Sequence, residues 1–281
     1  MLFAGKMMKG GNVTKWDSAS RMQALLTREQ MAGALFEAAV TIKIRKKDLM
    51  KWPDDDEHLH QYRISVRVAR SLVKFIKPYQ KRLQNQTLKD VLKELQDPTS
   101  RMRELDVLVP KLADEPELQA MCREAQLACR AEFMRTLELP ETQEKLTLVE
   151  EQLKHILWKD DVHDNGIDRD ALASRVDAHR EYCETTLDTV DFDDQEAVHD
   201  LRKQAKALRY ITRELAACLP EDAGNVSGDM RKMQDKLGEW CDARVNAALI
   251  TEICGEAGAS RAAAFQAEAE VIMQEMKASR A

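Results

Sequence analysis

The chain has 281 residues, 44% of them hydrophobic, so it can bury a sizeable core as one large helical domain or two small ones. Its formal net charge of -6, from 43 basic and 49 acidic side chains, excludes a uniformly basic coat for nucleic acid. Residues 1–19 lack a secretory core and no apolar run reaches transmembrane length, so we predict a flexible leader and a cytoplasmic protein without a membrane span.

Hydrophobic residues recur at helical spacing along the whole chain, and no segment alternates well enough to indicate a strand. We therefore predict an all-α fold, with proline, glycine and acidic turns separating the helices. The predicted helices, in chain order, cover residues 20–50, 58–77, 86–96, a segment opening at Arg103, 116–138, 141–158, 168–189, 193–218, a stretch over 229–253 broken by a turn at Gly238, and 260–279.

Turn residues mark where these helices begin and divide. Pro53 and the acidic run Asp54–Glu57 predict the capped start of the second helix. A loop is predicted at Pro220 and Gly224–Gly228. The acidic stretch 160–170, with Asn165-Gly166 inside it, is the clearest hinge, and it separates an N-terminal repeat of about residues 20–160 from a C-terminal repeat of about 167–281.

One pattern occurs in both halves. A histidine is followed by four cations at offsets of 3, 7, 10 and 14, which on a helix places all five side chains on one stripe about 21 Å long. Apolar residues flank both sides of the first stripe, so packing should turn it inward or into a groove. The two sets are His60, Arg63, Arg67, Arg70 and Lys74, and His199, Arg202, Lys206, Arg209 and Arg213.

A row of cations held close together is costly unless anions meet it. One interpretation is a ladder of salt bridges to carboxylates on neighbouring helices, and the other is a groove for an external anion. Duplication at identical spacing favours the groove. Each histidine has a similar alternative, as a packing residue bonded to a carboxylate such as Asp106 or Asp242.

The repeat extends beyond the stripes. Asp106 follows His60 by 46 positions and Asp242 follows His199 by 43, and Lys93 corresponds to Lys232, each 33 positions after its histidine. Two copies of one bundle of about four helices are the economical architecture. If a pseudo-twofold axis relates them, the two stripes would face each other across a shared basic channel.

These residues resemble the CHAD domain, the conserved histidine α-helical domain. The likeness rests on His60-x-x-Arg63-x-x-x-Arg67-x-x-Arg70, on its counterpart from His199 to Tyr210, and on supporting pieces at 103–108 and 234–242. It covers nearly everything from about residue 27 to residue 279. It implies two pseudo-twofold-related bundles around a central basic channel, binding of inorganic polyphosphate, and in bacteria association with polyphosphate granules. The chain departs from the family pattern at Val68, Ala69 and Glu104, which implies that the first half binds polyphosphate less strongly than the second.

The residue chemistry agrees, because arginine forks match phosphate oxygens and lysines add mobile charge. The resemblance predicts a non-catalytic polyphosphate-binding protein that needs no metal or cofactor. Few aromatic side chains line the stripes, so the base stacking that single-stranded nucleic acids use is poorly supplied, which argues against nucleic acid as a partner. The sequence does not say whether a protein partner binds the acidic exterior. The predicted binding residues are His60, Arg63, Arg67, Arg70, Lys74, Lys93, Arg103, His199, Arg202, Lys203, Lys206, Arg209, Arg213 and Lys232.

Two other classes of function stay open. His199-Asp200 is similar to the core of a metal-dependent phosphohydrolase, although that site needs further ligands and Lys203 nearby would oppose a divalent metal. A nucleic-acid or nucleotide binder is the other alternative. The six cysteines show neither a C-x-x-C motif nor zinc-like spacing, which predicts buried, reduced thiols.

Overall fold

The computed structural model describes residues 18–278, apart from the side chains of residue 222 and residues 224–234. In this part of the chain the fold is all-α, which confirms the predicted class, and short 3₁₀ turns join several helices. The helices are α1 (Ser18–Lys51), α2 (Asp56–Phe75), α3 (Arg82–Gln96), α4 (Ser100–Leu108), α5 (Pro116–Glu138), α6 (Pro140–Lys154), α7 (Asp160–Asn165), α8 (Arg169–Thr189), α9 (Gln195–Glu214), α10 (Gly224–Cys254) and α11 (Ala259–Ala278).

Four predicted boundaries differ from those of the structure. The helix α10 runs unbroken through the predicted loop at Gly224–Gly228 and the predicted turn at Gly238. Gly238 is buried inside the helix, where packing outweighs the roughly 1 kcal/mol that a helical glycine costs relative to alanine. The helix α6 ends at Lys154 rather than 158, because the following residues form backbone hydrogen bonds with residues 79 and 81. The predicted leader 1–19 overlaps α1 at its last two residues, and residues 1–17 lie outside the described part.

The predicted hinge at 160–170 is a packed connection. It contains the short helix α7 and then Gly166, whose φ of 83° lies in the left-handed region that favours glycine. A Cβ at Gly166 would come within 2.2 Å of the Ala24 backbone, and Ile167 N donates to Ala24 O at 2.9 Å. Glycine is therefore required here by both backbone conformation and close approach, and the segment is fastened to α1.

The two motif helices pack against each other. The helix α2 contacts α1, α3 and α9, and α9 contacts α2, α8 and α10. The main hydrophobic core joins residues of both predicted repeats, such as Leu72 and Leu208. A smaller core also crosses the predicted boundary, with Leu105 of α4 beside Ile250 of α10. The division into two repeats, and their arrangement as two bundles around a channel, stays a prediction.

The start of α2 is capped as predicted. Asp55 has an extended backbone, and its side chain accepts a hydrogen bond from Glu57 N at 2.8 Å. This bond satisfies one of the backbone donors that a helix leaves free at its first turn. The cap therefore fixes where the first cationic stripe begins.

Asp55→Ala is expected to lower the free energy of unfolding by about 1 kcal/mol, because the cap bond is lost. Urea denaturation followed by circular dichroism measures the change. Asp54→Ala is the matched control, since it removes the same charge from an exposed neighbour and should cost under about 0.5 kcal/mol. Equal losses in the two variants would show that net charge at the helix start matters and the cap bond does not.

The six cysteines are free thiols, and all but Cys129 are buried, in keeping with the prediction. Cys122 and Cys254 come closest, with 3.9 Å between their Sγ atoms. No helix in residues 18–278 is both long and apolar enough to cross a lipid bilayer.

Candidate anion-binding site

The cationic stripes of α2 and α9 meet where the two helices pack. The guanidinium of Arg202 on α9 is close enough to Arg63 and Arg67 on α2 to lower the pKa of both by repulsion. Arg103 reaches the same place from α4, where its charge lowers the pKa of His60. We call this group the central cationic cluster, and it consists of His60, Arg63, Arg67, Arg103, Arg202 and Lys206.

Arg63 is the most strongly perturbed arginine of this cluster. Burial away from water lowers its pKa to about 9, and repulsion from Arg67 and Arg103 adds to that effect while Glu104 opposes it. Its Nε and Nη1 atoms are buried and have no hydrogen-bond partner in the described part of the chain. Buried donors without partners cost free energy, so an acceptor from outside the described residues would stabilise this site.

Arg67 is similarly buried, and burial lowers its pKa. The neighbouring Tyr210 of α9 opposes this shift through its hydroxyl group. The same tyrosine ring lies under two further cations, with the Arg209 guanidinium 5.3 Å and the Arg213 guanidinium 5.5 Å from its centroid. Tyr210 therefore holds cations of both stripes, a role that the spacing of charges did not predict.

Lys206 lies one helical turn after Arg202. Burial lowers the pKa of its amine to about 7, and repulsion from Arg202, Arg67 and Arg63 acts in the same direction. The carboxylate of Asp242 on α10 opposes these effects only in part. The amine thus titrates close to neutral pH, whereas an ordinary lysine does so near 10.4.

Arg202 and Arg70 have partners. Arg202 Nη2 lies 3.2 Å from Asp242 Oδ1, while its Nε is buried without a partner in the described part. A Cβ on Gly238 would lie 3.7 Å from the Arg202 guanidinium, which is an ordinary van der Waals distance, so the arginine packs beside this position of α10 without requiring a glycine there. Arg70 donates from Nη1 to Gln96 Oε1 at 2.7 Å.

The two motif histidines differ in exposure. His60 is half-buried, its Nδ1 has no partner among described residues, and burial followed by repulsion from Arg103 lowers its pKa. His199 is exposed, and its pKa is lowered by partial desolvation and then by Lys203. The expected alternative, in which a histidine pairs with Asp106 or Asp242, is not observed.

The repeat-equivalent aspartates have separate roles. Asp106 is buried, accepts a hydrogen bond from Gln126 at 2.6 Å and lies 3.6 Å from an Arg130 nitrogen. Burial raises the pKa of Asp106, which fits a carboxylate inside a structural network. Asp242 is only part-buried and faces Arg202 of the cluster. The first copy thus uses its aspartate for packing, and the second uses it beside the cations.

The outer predicted residues lie apart from the cluster. Lys93 pairs with Asp97, Lys203 with Asp200 at 2.9 Å, and Arg213 with Glu214, and all three cations are exposed. Lys74 is exposed, and the side chain of Lys232 lies outside the described residues. The salt-bridge interpretation therefore suits the outer cations. It does not suit Arg63, Arg67 or Lys206, which form no ion pair with a carboxylate in the described part.

Two further basic residues come from α8. His179 Nε2 lies 3.1 Å from Gln204 Oε1 of α9. The pKa of His179 is lowered mainly by burial and, to a smaller extent, by the nearby charges of Lys74 and Arg175. The Arg175 guanidinium lies 5.0 Å from the Phe75 ring at the end of α2. Their spacing of four residues puts them on one helix face, but α8 carries no copy of the motif to indicate that role.

The phosphohydrolase alternative finds no ligand set here. Within the described residues, no group of three or more His, Cys, Asp or Glu side chains is arranged to hold a metal ion. Asp200, its proposed ligand, is held by Lys203, which lowers the pKa of the carboxyl group through a hydrogen bond.

The sequence model described as CHAD domain matches residues 35–251. The fold is similar to that of the crystal structure of the CHAD domain from the plant Ricinus communis, with a TM-score of 0.68 at 19% identity over 90% of this chain and 87% of that one. It is also similar to PptA from Streptomyces chartreusis, with a TM-score of 0.61 at 14% identity over 88% and 98%. No curated protein matches the chain. At these identities the structural likeness shows the fold alone.

Proposed function

Because the chain belongs to the CHAD domain family, we propose that it binds inorganic polyphosphate and catalyses no reaction on it. The observation that carries the proposal is the central cationic cluster at the crossing of α2 and α9. Three of its cations, Arg63, Arg67 and Lys206, are largely buried and have no ion pair with a described carboxylate. An anion supplied from outside would remove both the repulsion and the desolvation cost.

A linear polyphosphate suits this cluster better than a single phosphate does. Its charges repeat along a chain, as the cations repeat along stripes about 21 Å long. Guanidinium groups bind phosphate oxygens with two parallel hydrogen bonds, which would use the free donors of Arg63. The protein would then associate with polyphosphate granules in the cytoplasm.

The contacts between the stripes also support a shared channel. Arg63 and Arg202 hold equivalent places in the two motifs, as do Arg67 and Lys206. Each of these equivalent pairs is close in space, and so are the reciprocal pairs Arg67 with Arg202 and Lys206 with Arg63. A pseudo-twofold axis between α2 and α9 would generate this set of contacts. We therefore propose that two related bundles share one basic channel.

A competition experiment tests the proposed function. Labelled long-chain polyphosphate is bound to the protein and displaced with unlabelled polyphosphate, RNA of matched charge or ATP, with and without EDTA. Unlabelled polyphosphate should compete best, EDTA should have no effect, and affinity should fall as salt rises because counterions are released. Equal competition by RNA would contradict the preference, and phosphate release abolished by EDTA would support the phosphohydrolase instead.

Tyr210→Phe is expected to weaken polyphosphate binding about tenfold, since one hydrogen bond to a charged group contributes about 1.5 kcal/mol or more. The variant keeps the ring beneath Arg209 and Arg213 and removes only the hydroxyl beside Arg67. Fluorescence anisotropy at fixed salt measures the change. Tyr182→Phe is the control, because that hydroxyl lies on the exposed surface of α8. Unchanged affinity in Tyr210→Phe would show that the Tyr210 hydroxyl does not position Arg67 for polyphosphate binding.

A further inference from the structure

We propose that Lys206 is a site of acylation by small acyl phosphates, the mixed anhydrides of a carboxylic acid and phosphoric acid. The inference rests on the proposed function in one respect: the arginines that would bind polyphosphate would also bind the phosphate of the reagent. It adds a chemical reaction of the protein itself, which polyphosphate binding does not require.

The surroundings of Lys206 combine a phosphate receptor with an amine. Arg202 precedes it by one turn of α9, and Arg63 and Arg67 approach from α2, near enough for all three to repel its ammonium group. The Nε atoms of Arg63 and Arg202 are buried donors without a described partner. A phosphate held by these donors would bring an attached acyl group next to the lysine amine, and such placement raises the effective concentration of the reagent.

The charge state of the amine favours attack. In the free protein its pKa is about 7, chiefly through burial, so close to half of it is neutral at that pH, compared with about four parts in ten thousand for an ordinary lysine. The negative charge of a bound phosphate offsets part of this gain. On α10, Asp242 opposes this shift and Cys241 is a buried thiol with a raised pKa. On α8, the titratable group His179 contacts Gln204, two residues before Lys206.

The reaction balances without a further reagent. The neutral Nζ attacks the acyl carbon and forms an N–C bond. The C–O bond to phosphate breaks, and its electron pair leaves with the phosphate. The proton lost from nitrogen passes to the released phosphate or to water. The products are an amide at Lys206 and inorganic phosphate. Because the amide is neutral, one cation is lost from the cluster and polyphosphate affinity should fall.

The test compares two acetylating reagents on the full chain. Acetyl phosphate carries the phosphate group, whereas N-hydroxysuccinimidyl acetate is neutral and reports amine reactivity alone. Peptide mass spectrometry follows each lysine with time, using exposed Lys203 and Lys89 as internal references. With acetyl phosphate we expect acetylation of Lys206 at least about tenfold faster than at either reference, given its larger neutral fraction. The preference should be smaller with the neutral ester, and saturating polyphosphate should suppress it.

The outcomes separate this inference from the proposed function. Acetylation of Lys206 no faster than Lys203 would overturn the inference. An equal preference with both reagents would overturn the acyl phosphate as the favoured class. Polyphosphate binding is measured on the same unreacted sample. If polyphosphate binds while Lys206 stays unreactive, only the inference fails. If Lys206 reacts selectively in a protein that does not bind polyphosphate, the proposed function fails and the small-anion site remains.

Discussion

Replacing Arg63 and Arg67 together with glutamine is expected to weaken binding of long-chain polyphosphate at least about a hundredfold. Each hydrogen bond to a charged group contributes about 1.5–3 kcal/mol, and every 1.4 kcal/mol changes affinity tenfold. Both side chains lie in the central cationic cluster, where burial strengthens their interaction with an anion. Isothermal titration calorimetry at fixed salt measures the loss, and circular dichroism should show an unchanged helical spectrum.

The matched control is Arg82→Gln with Lys89→Gln. It removes the same two charges from the exposed face of α3. Because exposed charges are screened by salt, this variant should lose less than about threefold in affinity at physiological ionic strength. Similar losses of affinity in both double variants would mean that binding follows the net charge of the protein and does not depend on a site at the α2–α9 crossing.

Lys206→Met is expected to raise the free energy of unfolding of the ligand-free protein by up to about 4 kcal/mol at pH 7. The folded pKa of about 7 lies below the ordinary value of about 10.4, so the unfolded chain binds more protons between these two pH values. Stability contributed by this group therefore rises with pH from about 7 to 10, and the full penalty of charging the buried amine is present below pH 7. The methionine variant should lack that rise.

Urea denaturation at several pH values between 6 and 10 measures both effects. Lys203→Met serves as the control, since that lysine is exposed on the same helix and should leave the profile unchanged. Polyphosphate affinity should move in the opposite direction, falling in Lys206→Met while stability rises. A methionine variant that is less stable than the parent at pH 7 would show that the charge of Lys206 is compensated in the free protein.

The features that the sequence predicts well are local. The cationic stripes follow from helical periodicity, and the cap at Asp55 follows from an acidic residue placed before a helical segment. The pairing of Lys203 with Asp200 is equally local, because three residues separate them on a helix. Lys203 lies outside the central cationic cluster, and its role as a phosphate ligand stays a prediction.

The features that the sequence could not predict depend on tertiary packing. Taken alone, Gly238 predicts a break in the helix, yet α10 continues through it and the residue is buried against its neighbours. Tyr210 and His179 join the basic surface only because α9 packs on α2 and α8. The different uses of Asp106 and Asp242 likewise follow from Arg130, which lies far from either motif in the chain.

The measurement that tests the central claim most directly is the titration of Lys206, followed by NMR with ¹³C-labelled lysine and assigned with Lys206→Arg. In the free protein the pKa should lie near 7. With saturating polyphosphate it should rise, because nearby negative charge favours the ammonium form. If the pKa of Lys206 stays unchanged in protein that demonstrably binds polyphosphate, then the polyphosphate binds away from the central cationic cluster, and the account is contradicted.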